Sequence, residues 1–102
     1  MSLDVEVNEF GNEVVVVLDG EMDTHTARSV GDRLNQVLGD RATSVVIDAA
    51  KLRFLDSSGI SELLRLRQRT VDAGGAFSLR SASPTVRRVL EITGLLELLG
   101  LR

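Results

Sequence analysis

Four β-branched residues and a leucine stand in an unbroken row at Val14-Val15-Val16-Val17-Leu18, and this run limits the fold of the chain more tightly than any other. A short apolar segment that offers neither face to water is a strand covered on both sides, so it belongs at the centre of a sheet. Just upstream, Leu3, Val5 and Val7 alternate with Asp4, Glu6 and Asn8. That period of two predicts a strand with one wet face, near a sheet edge. Gly11-Asn12 between the two segments supplies turn residues, so the first two strands are expected to form a hairpin.

The pattern then changes period. After Gly20-Glu21-Met22-Asp23, residues Ala27, Val30, Leu34, Val37 and Leu38 recur at the spacing of one helix face, with Asp23 or Thr24 as N-cap and an end near Gly39. Val45-Val46-Ile47 gives a further buried strand. A second helix follows with Ile60, Leu63, Leu64 and Val71 turned inward and Gly74-Gly75 stopping it. Phe77 and Leu79 alternate with Ser78 and Arg80 as the last strand. Ser83-Pro84 then opens a helix striped by Val86, Val89 and Leu90, because proline at the first helical position has no N–H to lose. Gly94 ends it, and Leu95, Leu96, Leu98 and Leu99 read as a short terminal helix. The order is ββαβαβαα. Strands joined through helices run parallel with right-handed crossovers, which predicts a two-layer α/β domain: a mixed sheet with helices mainly on one face.

Size and charge narrow the function. A chain of 102 residues, 43% of them hydrophobic, holds one core, so residues 1–102 are expected to form a single domain. The net charge is −3 with acids and bases interleaved, which argues against nucleic acid and an anionic membrane as partners. Arg65, Arg67, Arg69, Arg80, Arg87 and Arg88 could be assembled into a basic patch, but with acids between them and only three aromatic residues they read as a solvated helix surface. The absence of cysteine removes disulfides, thiol catalysis and Cys-based metal sites. No metal or cofactor is expected. The N-terminus alternates apolar and acidic residues and does not read as a signal peptide, and no apolar run is long enough for a bilayer. The expectation is a cytoplasmic protein, monomeric when alone.

In parallel sheets, ligands and modifications gather where a strand ends and a helix begins. Here that loop is expected at Lys51-Leu52-Arg53-Phe54-Leu55-Asp56-Ser57-Ser58-Gly59. Its Asp and Ser residues suit helix capping fully, and Gly59 keeps the backbone uncrowded. Asp23 is the other carboxylate expected near Ser57, either as a helix cap or, functionally, as an acid on a binding surface or a group assisting phosphate transfer. His25 is the only histidine, so a Ser57, His25, Asp23 relay can be drawn. The segment lacks the Gly-x-Ser-x-Gly turn that strains a nucleophile into place, and no catalytic residue is assigned.

Phe54-Leu55-Asp56-Ser57-Ser58-Gly59-Ile60 closely resembles the phosphorylation-site segment of the STAS-domain anti-sigma-factor antagonists. Gly20 to Ala27 resembles the segment entering that family's first helix, Ser81 to Arg88 the one opening its third, and Ile92-Thr93-Gly94-Leu95 its turn into the last helix. The likeness runs from the first strand to the last helix. One departure is Ile60-Ser61-Glu62, where the family commonly has Leu-Gly and an aliphatic residue.

The resemblance implies a switch. The unphosphorylated domain would bind an ATP-using anti-sigma-factor serine kinase and release the sigma factor; the kinase would phosphorylate Ser57, and a serine phosphatase would reset it. Asp23, Asp56, Ser57, Ser58 and Gly59 would form the partner-binding surface. A phosphate at that helix start is expected to accept backbone N–H bonds without unfolding the domain. The competing implication is a STAS interaction module of a signalling scaffold or transport system, with no sigma factor involved.

Overall fold

The structure is a computed structural model that describes residues 2–39, 41 and 43–101. Along them run β1 (Leu3–Phe10), β2 (Glu13–Met22), α1 (Ala27–Leu38), β3 (Ser44–Leu55), α2 (Ser57–Asp72), β4 (Phe77–Arg80) and α3 (Pro84–Thr93). The four strands form one sheet in the order β1-β2-β3-β4, with β1 antiparallel to β2 and the other pairs parallel. The mixed sheet, the hairpin and the central place of β2 follow the sequence pattern. Gly11 turns the hairpin at φ +62°, a conformation that costs glycine nothing.

Register decides which side chains reach the core. Leu3, Val5 and Val7 lie opposite Gly20, Leu18 and Val16, so the apolar half of β1 shares a face with the buried half of β2. Val45, Ile47 and Ala49 of β3 join that face, and it is closed by Leu34 and Leu38 of α1, Leu63 and Leu66 of α2, and Val86 and Leu90 of α3 in one continuous cluster. Asp4, Glu6 and Asn8 stand on the other face, opposite Asp19, Val17 and Val15.

β3 is longer than the sequence suggests. Its pairing with β2 steps from Val17↔Asp48 to Asp19↔Lys51, and again from Gly20↔Leu52 to Glu21↔Phe54. At each step β3 spends one residue more than β2, which is a β-bulge. Buried residues therefore come at intervals of two up to Ala49 and of three afterwards, at Leu52 and Leu55. The loop expected over Lys51–Gly59 is thus strand as far as Leu55, and only Asp56 separates strand from helix.

Two helical expectations also change. On α2 the buried residues are Gly59, Glu62, Leu63, Leu66 and Thr70, while Ile60 and Leu64 are half-buried and Val71 is 43% exposed. Thr70 can turn inward because its hydroxyl donates to the Leu66 carbonyl at 2.8 Å. The segment after Gly94 is a chain of turns rather than a regular helix. Gly94 (φ +73°) closes α3 with bonds from its own N–H to Glu91 and from Leu95 N–H to Leu90; Gly100 (φ +67°) repeats the device with Glu97 and Leu96. These are Schellman closures, and two of them six residues apart leave room for one turn only. Leu99 is nevertheless fully buried, and its carbonyl accepts the Leu79 N–H at 3.0 Å.

Candidate functional site

The carboxyl ends of the parallel strands bring three helix entries to one edge of the sheet. They are tied together by backbone bonds: Asp56 N–H donates to the Met22 carbonyl at 3.3 Å, and Ser83 N–H to the Ala49 carbonyl at 3.2 Å. Ser83 also donates its hydroxyl to the Leu52 carbonyl at 2.6 Å while accepting the Val86 N–H at 3.4 Å, so it both caps α3 and pins it to β3.

At the start of α2, Asp56 is the cap. Its Oδ1 accepts the N–H of Ser58 at 2.9 Å and of Gly59 at 3.1 Å. Ser57 is the first residue of the helix and is exposed. Among the described residues its hydroxyl has no hydrogen-bond partner. Ser58, by contrast, places its Oγ 3.1 Å from Thr24 Oγ1, across from the β2–α1 turn. Gly59 is buried, and a Cβ there would stand 2.8 Å from the Met22 carbonyl oxygen. The structure thus separates the two serines: one bridges to a neighbouring turn, the other is free.

Asp23 holds the turn ahead of α1 and is not the N-cap of the helix itself, a position taken by Thr26. Asp23 is 6% exposed, and its Oδ1 accepts the N–H groups of His25 at 2.9 Å and Thr26 at 3.1 Å. The Thr26 hydroxyl returns the bond by accepting Asp23 N–H at 2.9 Å, the reciprocal arrangement of a capping box. Burial pushes this carboxyl up, but donation from His25 and Thr26 outweighs it and holds the pKa below the ordinary 3.8. What this turn presents to Ser58 is Thr24, not the Asp23 carboxylate. α1 itself begins one turn later than expected, at Ala27 with Thr26 preceding it. His25 is exposed on the same turn, and among the described residues no hydrogen bond joins its side chain to Ser57 or Asp23.

A polar groove of about 370 Å³ runs from this edge between α1 and α2, lined by Thr24, Arg28, Ser58, Ser61, Glu62 and Arg65. Glu62, read in the sequence only as a departure from the family pattern, is 8% exposed and forms a two-point fork with Arg65 at 3.1 and 2.7 Å. The fork lies over Gly31 of α1, where a Cβ would collide with the Glu62 and Arg65 tips. A glycine inside a strongly amphipathic helix is the one sequence signal that pointed to this close approach. Arg80 and Arg87 pair with Asp48 at 3.5 Å and Glu91 at 3.3 Å, so these members of the imagined basic patch are neutralised locally. Among the described residues no group of three His, Cys, Asp or Glu side chains could hold a metal ion, and no helix is long and apolar enough to cross a membrane.

Fold and site are those of a small two-layer α/β domain that gathers its capped helix entries on one edge. The chain belongs to the STAS domain family, whose family model matches residues 4–102. It is 28% identical over 100 residues to the anti-sigma F factor antagonist of Paenibacillus polymyxa, covering 97% of this chain and 86% of that one. Among solved structures it is similar to an anti-sigma factor antagonist from Mycobacterium paratuberculosis, with a TM-score of 0.83 at 28% identity, covering 98% of this chain and 85% of that one. It is also similar to the anti-sigma factor antagonist SpoIIAA in its unphosphorylated form, with a TM-score of 0.81 at 25% identity, covering 97% and 88%.

Proposed function

We propose that this chain is a cytoplasmic anti-sigma-factor antagonist, a binding protein rather than an enzyme, switched by phosphorylation of Ser57. Unphosphorylated, it binds an anti-sigma-factor serine kinase through Ser57, Asp56 and Ser58, with buried Gly59 seating the helix start that presents them, and the sigma factor is released. The kinase brings the ATP; a serine phosphatase restores the hydroxyl. Asp23 contributes by building the turn that carries Thr24 to Ser58. The observation that carries the reading is the contrast between the serines: Ser57 is exposed and free to accept a phosphoryl group, and Ser58 is engaged with Thr24.

Charge explains the off state. A phosphate adds about −1.5 to −2 charges at pH 7 beside Asp56. One such charge ~6 Å from an acidic group on the kinase costs roughly 3 kcal/mol at an effective dielectric of ~20. That is about a hundredfold in affinity. The test is a binding titration of purified ATP-dependent anti-sigma serine kinases against wild type, Ser57→Ala and Ser57→Asp. Binding by the first two and loss in the third is expected. Equal binding by all three, or a kinase-added phosphate mapped by mass spectrometry to another residue, overturns the reading.

A further inference from the structure

The N–H groups in the first turn of a helix have no partner within the helix. In α2 they are accounted for one at a time. Asp56 Oδ1 takes those of Ser58 and Gly59, at 2.9 and 3.1 Å. The Asp56 carbonyl takes that of Ile60, at 2.9 Å. Among the described residues only the amide of Ser57 itself is left without an acceptor. The positive end of the helix is therefore already held by a carboxylate of the chain.

Resting on the reading of Ser57 as the modified residue, we propose that Asp56 excludes the Ser57 phosphate from the Ser58 and Gly59 amides at the start of α2 and keeps it displayed to solvent. Phosphorylation forms a bond from Ser57 Oγ to the γ-phosphorus of ATP, breaks the bond from that phosphorus to the bridging oxygen of ADP, and releases the hydroxyl proton. To settle on the Ser58 and Gly59 amides, the new dianion has to displace the Asp56 carboxylate; the one amide open to it is that of Ser57 itself. The exchange gains no hydrogen bond, since one anion replaces another on the same two amides, and it drives the expelled carboxylate toward the phosphate. Open water is the better solvent for the phosphate.

The surrounding charges do not reverse this. Arg53 is held on the outer sheet face by Asp19 and Glu21, each at 3.1 Å. The Asp23 carboxylate is turned into its own loop. Arg28 lines the same groove as Ser58, whose hydroxyl lies against Thr24. Lys51 and His25 are exposed at the strand and turn flanking the site. The proposal departs from the sequence-based expectation of a phosphate bound by the helix amides in that Asp56 retains those of Ser58 and Gly59. The consequence is a modification that remains fully readable, to a kinase that must reject it and to a phosphatase that must reach it.

The experiment installs phosphoserine at position 57 during synthesis, so that it depends on no kinase, and follows ³¹P and ¹H–¹⁵N spectra across the second phosphate ionisation near pH ~6. The Ser58 and Gly59 amides are expected to stay where they lie in the unmodified protein. Asp56→Asn, which keeps a cap oxygen and loses the charge, is expected to lower the phosphate pKa by about half a unit. Asp56→Ala frees both amides, which are then expected to follow the phosphate titration; should that variant unfold, the Asn variant decides. Wild-type Ser58 and Gly59 resonances that move with the phosphate, or a phosphate pKa unchanged in Asp56→Asn, overturn the proposal. Neither result bears on whether a kinase modifies Ser57, and failure of a kinase to do so leaves these spectra unaffected.

Discussion

Two neighbouring side chains of identical chemistry end with different fates at this site, and the cause is what each meets in space. Ser58 finds Thr24 and is held; Ser57 finds solvent. Asp56 organises both by fixing the turn they sit on, so Asp56→Ala is expected to cost ~1 kcal/mol, a fall in Tm of about 4 °C or more in thermal melts. No change in Tm would show that the cap contributes nothing. Asp23 makes a prediction with a sign. Burial raises its pKa, the N–H donors of His25 and Thr26 more than compensate, and the net value lies below 3.8. A carboxyl with a depressed folded pKa adds stability that is present above its unfolded pKa and vanishes as pH falls through the folded one. Wild type should therefore melt higher than Asp23→Asn at neutral pH, and the gap should close on acidification below pH ~4. A gap that widens in acid contradicts this.

Among the elements, the sheet is what the sequence displays best, because alternation and unbroken β-branched runs encode burial directly: Leu3, Val5 and Val7 against Asp4, Glu6 and Asn8 place β1, and Val14 to Leu18 place β2. The far half of β3 was hidden since two bulges break its period after Ala49. Leucine spacing says nothing about closures at Gly94 and Gly100, so the segment that reads as a terminal helix folds as turns. At the site, the serine pair and its cap were visible as a helix start. Their division of labour was not, since it depends on Thr24, 34 positions from Ser58 and joined to it only by folding. Helix packing yields a further test. A Cβ at Gly59 meets the Met22 carbonyl, which is backbone and cannot step aside, whereas one at Gly31 meets the tips of Glu62 and Arg65, which can swing outward. Gly59→Ala is expected to cost roughly 1–3 kcal/mol in urea unfolding. Gly31→Ala should stay within ~1 kcal/mol of wild type, helped by alanine's better helix propensity. The reverse ranking would mean that the Glu62–Arg65 fork is the more rigid of the two obstacles.

On the scale of the whole molecule, the core and the candidate site are separate. The buried cluster runs through Val16, Leu34, Ile47, Leu63 and Leu90, and Asp56, Ser57 and Ser58 lie outside it. A charge added at the edge therefore leaves the packing that supports the fold intact. Ser57→Glu should retain its circular-dichroism spectrum and melt within about 4 °C of wild type, a change of less than ~1 kcal/mol. Leu90→Ala, a cavity in that cluster, should cost ~2–5 kcal/mol out of a total near 5–15. Loss of secondary structure in the glutamate variant would overturn the separation.

The two additional residues of β3 also carry a liability. Each bulge holds one residue that β2 does not oppose, so removing one there would leave Leu52 opposite Gly20 and Leu55 opposite Met22, on the face they already occupy. What would change is the bend of the ribbon, and with it the direction in which the following turn aims its hydroxyl. A single codon lost there would spare the core and the hydropathy profile and act on the aim of that edge alone.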